Sequence, residues 1–467
     1  MADVNTNHIA NHPNNQPADA SNHHLTDAPS EEDVGGPDEP DGPVVSECGT
    51  CGVRMTCSLE EGRCICWPGH SFVDAQGCVE MPYGTGEDGS RIFHDEVNLA
   101  HDALMEGGDR DAPWYAVESV VNNSLKVAGP ITDIGAGDEV LIINLQARTP
   151  DPSHVGRYQL ARVRLVDGDQ VYFYGSIDAQ LGSPVDHSIA LVRVPNYDDL
   201  HLQSNARLVT VPYDGSVGGV IAMRVAGTLT IDEGGVIDVK GRGYRGGAAP
   251  IAANDMGVQG EGRLGPGSRG QQQPNDGGGG AKYCGAGGNH LFGATDCSPS
   301  PSTEASLASK SGEGYGMSPL ERLHLGSGGG SLHHGASAPG ASCPGAGGAG
   351  GGVILIFANK AEVYEGMLDA CGQAAEAICI HDGRFSAPGG GAGGSVFFRA
   401  ARLDGRGYLG SVEGAKATDY VVDQTSTHTG IGGGGGSGEA LVELEDFDHL
   451  SWEGRETELI RPSNDIR

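Results

Sequence analysis

Gly351-Gly352-Val353-Ile354-Leu355-Ile356-Phe357-Ala358-Asn359-Lys360, followed by Gly366-Met367-Leu368-Asp369-Ala370, is the stretch on which the fold turns. The apolar run is too short for a helix and is bounded by glycine, so it reads as a buried strand. Its Val, Ile and Phe suit a pleated, half-buried surface. The same pattern occurs upstream as Gly218-Gly219-Val220-Ile221-Ala222-Met223-Arg224-Val225-Ala226-Gly227, then Gly235-Val236-Ile237-Asp238-Val239. It recurs downstream as Gly393-Gly394-Ser395-Val396-Phe397-Phe398-Arg399-Ala400-Ala401, then Gly410-Ser411-Val412-Glu413-Gly414. A fourth copy opens at Ser437-Gly438-Glu439-Ala440-Leu441-Val442-Glu443-Leu444. One such unit cannot bury its own apolar face, whereas a stack of units buries a continuous core. The expected fold is therefore mainly β, with a β-solenoid or right-handed β-helix-like body over 216–460. Segments before 218 are expected to cap it.

Glycine sets the second feature. The chain has 79 Gly in 467 residues, well above the roughly 7% of ordinary proteins, and no G-X-Y period, which excludes collagen. Glycine-rich insertions at 241–289, 326–352, 386–394 and 430–438 fall inside the repeats. One reading is flexible linker. The other is packed extended glycine segments, where only Gly permits close backbone approach. The alternative architecture is accordingly a β-sandwich with packed glycine-rich helices.

Residues 94–215 read as a β-rich N-terminal part of the body. Strand candidates are Glu139–Leu145, Tyr158–Val166, Gln170–Tyr174, Ile189–Val194 and Leu208–Val211. Asp167-Gly168-Asp169 reads as a hairpin turn rather than a metal loop, since no calcium-ligand ladder follows it. Short helices are expected only near 101–106 and 114–122. Residues 1–46 are rich in Asn, Asp, Pro, Glu and His with almost no apolar clusters. They read as a disordered acidic tether, because so little apolar surface cannot offset ordering entropy. No leader-type apolar core follows Met1, and no apolar run is long enough to span a bilayer.

Between these lies a cysteine module, 47–80, with Cys48, Cys51, Cys57, Cys64, Cys66 and Cys78. A segment this small needs staples, and six cysteines allow fifteen pairings. Disulfides are favoured over a zinc site through Cys48/Cys51 and Cys64/Cys66, whose second half lacks the usual two-residue gap. Later, Cys371 and Cys379 flank a short segment and can close a loop. Cys284 and Cys297 can do the same inside an insertion. Cys343 is then left over as a free or intermolecular thiol.

The ending Cys64-Ile65-Cys66-Trp67-Pro68-Gly69-His70-Ser71-Phe72, then Gly77-Cys78, resembles an epidermal-growth-factor-like module. That resemblance implies the pairs Cys48–Cys57, Cys51–Cys64 and Cys66–Cys78. The calcium-binding form of such modules carries acidic residues before the first cysteine; here Pro43-Val44-Val45-Ser46-Glu47 stands there, so no calcium is expected in the module. Residues about 110–460 are similar to a group of bacterial secreted glycine-rich proteins. The likeness rests on Gly137-Asp138-Glu139-Val140-Leu141-Ile142, Val192-Arg193-Val194-Pro195-Asn196-Tyr197, Asp214-Gly215-Ser216-Val217-Gly218-Gly219-Val220, Gly243-Tyr244-Arg245-Gly246-Gly247 and Leu323-His324-Leu325-Gly326-Ser327-Gly328-Gly329-Gly330. The group brings no activity with it. The glycine blocks are also similar in composition to the glycine-rich regions of certain receptor tyrosine kinases and phage tail adhesins.

A net charge of −33 argues against nucleic acid, whose phosphates require clustered Lys and Arg, and against anionic membrane surfaces. Calcium is allowed on charge grounds, though no cofactor is required. The chain contains no G-x-S-x-G, P-loop or H-E-x-x-H sequence. His290, His324, His333 and His334 lie near Cys284 and Cys343 but on glycine loops that would hold a metal poorly; His8, His12, His23 and His24 lie in the tether. The enzyme alternative rests on Asp232, Glu233, Asp238 and Asp369, on or beside repeat strands. Asp238 and Asp369 hold equivalent positions, matched by Glu413, and are expected to form a solvent-facing ladder. The expected function is thus an exported cell-surface or extracellular structural or adhesive protein without catalytic activity, with surface glycans or proteins as partners. The alternatives are a secreted carbohydrate-active β-helix and a calcium-dependent matrix protein.

Overall fold

The computed structural model describes residues 77–102, 108–249, 260–263, 322–331, 345–375, 388–411 and 438–445. It adds short pieces at 54–58, 63–66, 68–73, 104, 265–266, 379–381, 384–386, 413–415, 451–452 and 460–462. Met1–Glu47 and Cys48–Arg467 separate into two units, and every described residue belongs to the second. The expected tether at 1–46 lies outside the described residues.

Among the described residues the regular elements are all strands, apart from a single 3-10 turn at Ala179–Leu181. Its backbone is a set of parallel ladders in which the repeats pair in register. Val220, Val353, Ser395 and Glu439 are successive partners, so the glycines that open the four units, Gly219, Gly352, Gly394 and Gly438, coincide. The described strands of the coils fall into three ladders. The first ladder joins Asn196–Tyr197 with the 220–225, 353–358, 395–400 and 439–444 segments. The second joins Arg91–Phe93, Leu200–Leu202 and the 229–231, 361–363 and 403–405 segments. The third joins Glu96–Asn98, Arg207–Val209, Val236–Asp238 and the ends of Val353–Asp369 and Ser395–Ser411. The stack therefore begins at Arg91, well before Gly218. The segments expected to cap it contain its first two coils.

The third repeat was misaligned by sequence. Met367 pairs with Tyr408 and Leu368 with Leu409, so Gly407, not Gly410, opens the last strand of that coil. A bulge between Leu368 and Asp369 then makes Ser411 the partner of Asp369. Spacing from one Gly to the next cannot reveal a bulge, which inserts a residue without changing composition.

Alternate residues of the first ladder point inward. Ile221, Met223, Val225, Ile354, Ile356, Ala358, Val396, Phe398 and Val442 form one core with Leu200, Leu229, Leu403 and Leu368. The intervening residues Val220, Ala222, Leu355, Phe397 and Leu441 belong to a second core outside the coil. This ladder is buried on both faces, which is why its sequence is a continuous apolar run.

The outer cover is a closed antiparallel barrel inserted between Asn98 and Asn196. Around it run Tyr158–Asp167, Gln170–Phe173, Ser124–Val127, Trp114–Val121, His187–Arg193 and Glu139–Ala147, which pairs back to Tyr158–Asp167. Asp167 and Gln170 close the expected hairpin around Gly168, whose φ of 62 suits the tight turn. Trp114–Val121 is a strand, not a short helix; Tyr115 and Val117 point into the barrel core. Leu141, Ile143, Ala190 and Val192 turn the other way, onto the coils. Among the described residues no helix is long and apolar enough to cross a membrane.

The described parts of the glycine insertions form an ordered hydrogen-bonded lattice. Gly350 N donates to Tyr244 O (2.9 Å), Gly326 N to Gly351 O (2.8 Å), Gln373 N to Ala349 O (2.7 Å) and Gly348 N to Gly389 O (2.8 Å). The 347–351 segment thus bonds to four other segments, where a strand inside a sheet bonds to two. Glycine is required there by proximity. A Cβ on Gly351 would lie 1.8 Å from the Ala370 carbonyl oxygen, and one on Gly348 1.9 Å from that of Gln373.

Candidate functional site

The aspartates nominated for hydrolysis occupy the turn that leaves the third ladder. Asp238 and Asp369 are direct partners on adjacent coils. Adjacent strands lie about 4.8 Å apart. They do not form the expected solvent-facing row, being only 5% and 8% exposed. Each serves its own turn. Asp238 Oδ1 accepts from Lys240 N (2.8 Å) and Asp369 Oδ1 from Cys371 N (2.9 Å), two residues on in both cases. Arg207 donates to Asp238 and, at 3.0 Å, to Glu96. Its pKa is raised first by the Asp238 hydrogen bond and further by the charges of Asp238, Glu96 and Asp369. Glu413 is out of register, and Asp232 accepts from His201 Nε2 at 2.8 Å. The structure brings Asp238 and Asp369 together and leaves Asp232 and Glu413 outside the pair. Glu233 contributes its backbone carbonyl to Asn205 N (3.1 Å).

A larger polar assembly lies where barrel, coils and cysteine module meet, and sequence reasoning did not find it. Glu139 at the start of a barrel strand receives a bidentate pair from Arg224 Nε and Nη2 (2.8 and 2.9 Å). Arg224 also reaches Glu80 (2.8 Å) and the Pro82 carbonyl, and its guanidinium stacks 4.7 Å from the Phe357 ring centre. Arg162 bonds Glu139, Glu87, Asn196 and the Gly137 carbonyl. Arg193 bonds Asp88 (2.6 Å), Asp138 (2.9 Å) and the Asp111 carbonyl, while Tyr197 donates to Asp111. Burial opposes the charges of Arg193 and Arg224, but their carboxylate partners outweigh it and both pKa values are raised. Burial raises Glu87, with Arg162 opposing, and raises Asp111, with the Tyr197 hydrogen bond opposing. A buried pair of this kind is costly to desolvate and holds only when fully hydrogen-bonded. The available signal was a lone charge inside an apolar strand: Glu139 before Val-Leu-Ile-Ile, Arg193 after Ala-Leu-Val, Arg224 after Ile-Ala-Met.

The cysteine module reaches the same junction. Cys66 and Cys78 are disulfide-bonded, with Cα atoms 5.4 Å apart, tying the end of the Arg63–Cys66 strand to the hairpin of His70–Val73 and Gly77–Glu80. Cys64 is also disulfide-bonded. Gly69 lies against the Arg162 guanidinium, where a Cβ would meet it at 2.5 Å. Cys48, Cys51, Cys284, Cys297 and Cys343 lie outside the described residues, as do the side chains of Cys57 and Cys379. Cys371 is half-buried beside Asp369. Of the four later histidines only His324 is described. It is buried, and burial first, with Arg263 and Arg322, lowers its pKa to about 3. Among the described residues no three His, Cys, Asp or Glu side chains converge as a metal site.

The outward row of the second ladder runs Ile92, His201, Thr230, Glu362 and Asp404 across successive coils. Beside its end, Tyr364 and Tyr408 are 46% and 49% exposed and sit on adjacent coils, Tyr364 opposite Arg406 and Tyr408 opposite Met367. Lys360 bridges Glu362, and Arg406 bridges Glu365 at 2.6 Å.

No known family matches the chain, and no curated protein matches it. Two solved structures show a weak likeness. The Gp54 tailspike of Acinetobacter baumannii bacteriophage AP22, solved with A. baumannii capsular saccharide, is 12% identical, covers 80% of this chain and 70% of its own, with a TM-score of 0.16. The Pseudomonas phage phi297 tailspike gp61 is 12% identical, covers 82% of this chain and 63% of its own, also at 0.16. Scores at that level do not establish a common fold.

Proposed function

We propose that this chain is an extracellular or cell-surface structural or adhesive protein, built on a right-handed β-helix-like body and meeting glycans or proteins without catalysing a reaction. The observation that carries this reading is the use of the repeat aspartates. Asp238 and Asp369 are ladder partners on adjacent coils, yet each is committed to a backbone N–H two residues on, and Arg207 donates to Asp238. Carboxylates used to make turns stabilise a scaffold and leave little freedom for proton transfer. The exposed Tyr364 and Tyr408 beside a polar row supply a surface of the kind that meets sugar rings, each with an apolar ring face and a polar tip. Disulfides in the cysteine module favour an oxidising compartment. The proposal extends to an epidermal-growth-factor-like module with Cys48–Cys57 and Cys51–Cys64 pairs, and to Cys284–Cys297 and Cys371–Cys379 bridges.

The second reading is a carbohydrate-active β-helix. It is favoured by one observation, the placement of two carboxylates as ladder partners on adjacent coils. Incubation with a polysaccharide panel separates the two, scoring retention on immobilised glycan and release of new reducing ends. Retention without release, weakened by Tyr364→Ala and Tyr408→Ala, supports the adhesive reading. Release that is abolished in Asp238→Asn or Asp369→Asn establishes the enzyme instead.

A further inference from the structure

Three histidines line the seam where the barrel meets the glycine lattice. On the barrel side, His154 and His187 pack edge to face, with ring centres 5.5 Å apart and an interplanar angle of 81°. His154 Nδ1 donates to the Gln180 carbonyl at 2.8 Å. The His187 ring lies on Gly182, where a Cβ would meet it at 2.8 Å, and its buried Nδ1 makes no hydrogen bond. On the lattice side, the His324 ring lies on Gly156, where a Cβ would meet it at 2.6 Å. Leu323 N donates to Gly156 O (2.9 Å), and Gly156 N donates to Asn144 O (2.8 Å) in the barrel. His324 also ties the lattice to a coil, its N–H donating to Ser395 Oγ (3.0 Å) and its carbonyl accepting from the same hydroxyl (2.8 Å). One short turn, 151–157, therefore carries His154 toward His187 and Gly156 toward His324.

We infer that this histidine seam is an acid-sensitive joint, which opens between barrel and lattice as pH falls while the coils remain folded. Both rings sit on glycine, with no space for a hydration shell around a newly charged imidazolium. The groups facing them are mostly unhelpful. Burial first, then His154 and Arg148, work against protonation of His187, and Asp186 and Asp151 favour it without reversing the balance. At His324 burial first, then Arg263 and Arg322, work against protonation. The sign follows from linkage: a histidine whose pKa is lowered in the closed state binds its proton in the open state. The closed seam keeps its full stability above about pH 6.5, the ordinary histidine value. It loses stability progressively below that. The coils are held by Ile, Val, Leu and Phe contacts, and among the described residues their strands carry no buried histidine.

Amide hydrogen exchange on the full chain at pH 7 and pH 5, expressed as protection factors, tests the inference. Leu323 and Gly156 report the seam, and residues 354–358 report the coils. Expected is a loss of seam protection of up to roughly 25-fold per histidine between the two pH values, with the coil amides unchanged. The double variant His187→Asn/His324→Asn should remove that pH dependence. Seam protection that is flat with pH, or that falls in parallel with the coils, overturns the inference. So does an acid response retained in the variant. Should the variant fail to fold, imidazole NMR titration of the unaltered protein decides: values below 6.5 for His187 and His324 support the joint, and ordinary values sink it.

Discussion

The glycine lattice and the strand ladders are both extended chain held by neighbouring backbones, yet they exclude opposite things. In the ladders each segment has two neighbours, and the space between opposite walls of the coil is filled by Ile356, Phe398, Leu403 and their partners. In the lattice the 347–351 segment has four bonded neighbours, and the space a side chain would take is occupied by carbonyl groups. The ladders gain stability from apolar burial, about 25 cal/mol per Å². The lattice gains it from satisfied hydrogen bonds and close dispersion contact, at the cost of ordering many glycines. Ala392 marks the boundary. Its methyl joins the core shared with the barrel, whereas a Cβ on the preceding Gly391 would lie 1.9 Å from the Ala349 carbonyl oxygen. Extended backbone does not by itself specify a sheet; whether Cβ atoms are present decides how many neighbours a segment can have.

Substitutions should separate the two regions. The largest effect is expected from Gly351→Ala, because no rotamer removes a Cβ and the obstructing atom is backbone. We expect failure to reach the native state, read as loss of the cooperative urea transition, beyond the roughly 1–3 kcal/mol of ordinary overpacking. Phe398→Ala in the ladder core should lower stability by about 3–5 kcal/mol while leaving the fold intact. Glu139→Ala leaves the buried Arg224 without its bidentate partner, at a similar cost of about 3–5 kcal/mol. It should also loosen the module hairpin, seen as faster proteolysis near residue 80. The smallest effect sharpens the comparison by reversal. Ala400→Gly in the ladder should cost only about 1–2 kcal/mol, from one methyl and added backbone freedom. If Gly351→Ala proved as mild as Ala400→Gly in the same urea titration, the distinction between lattice and ladder would be lost.

Much of the stack was legible in sequence. Gly219, Gly352, Gly394 and Gly438 precede the first-ladder residues Val220, Val353, Ser395 and Glu439, which pair in register. That register follows from apolar residues repeating after a fixed glycine opening. The first two coils were not legible as coils, because Arg91–Phe93, Glu96–Asn98 and Leu200–Leu202 are three-residue strands with no such opening. The segment 114–122 reads as a short helix in sequence because Glu118-Ser119 blurs the alternation that Tyr115 and Val117 begin, whereas Trp114–Val121 is a strand. Asp238 and Asp369 were found by repeat position, but their burial was not, because it comes from Arg207 on a neighbouring coil and from turns closing over them.

By itself the sequence determined that the chain is built of short strands after glycine openings, that several of these repeat, and that a cysteine-rich segment precedes them. Those are local properties, fixed by the period of apolar residues and by what glycine and cysteine can do within a few residues. Only the tertiary structure decided that the glycine runs interlock, that a barrel is inserted between the first two coils, and that Glu139, Arg162 and Arg224 meet. These depend on contacts between segments distant along the chain, and a carbonyl or a carboxylate carries no sequence signal of the partner that will stand beside it.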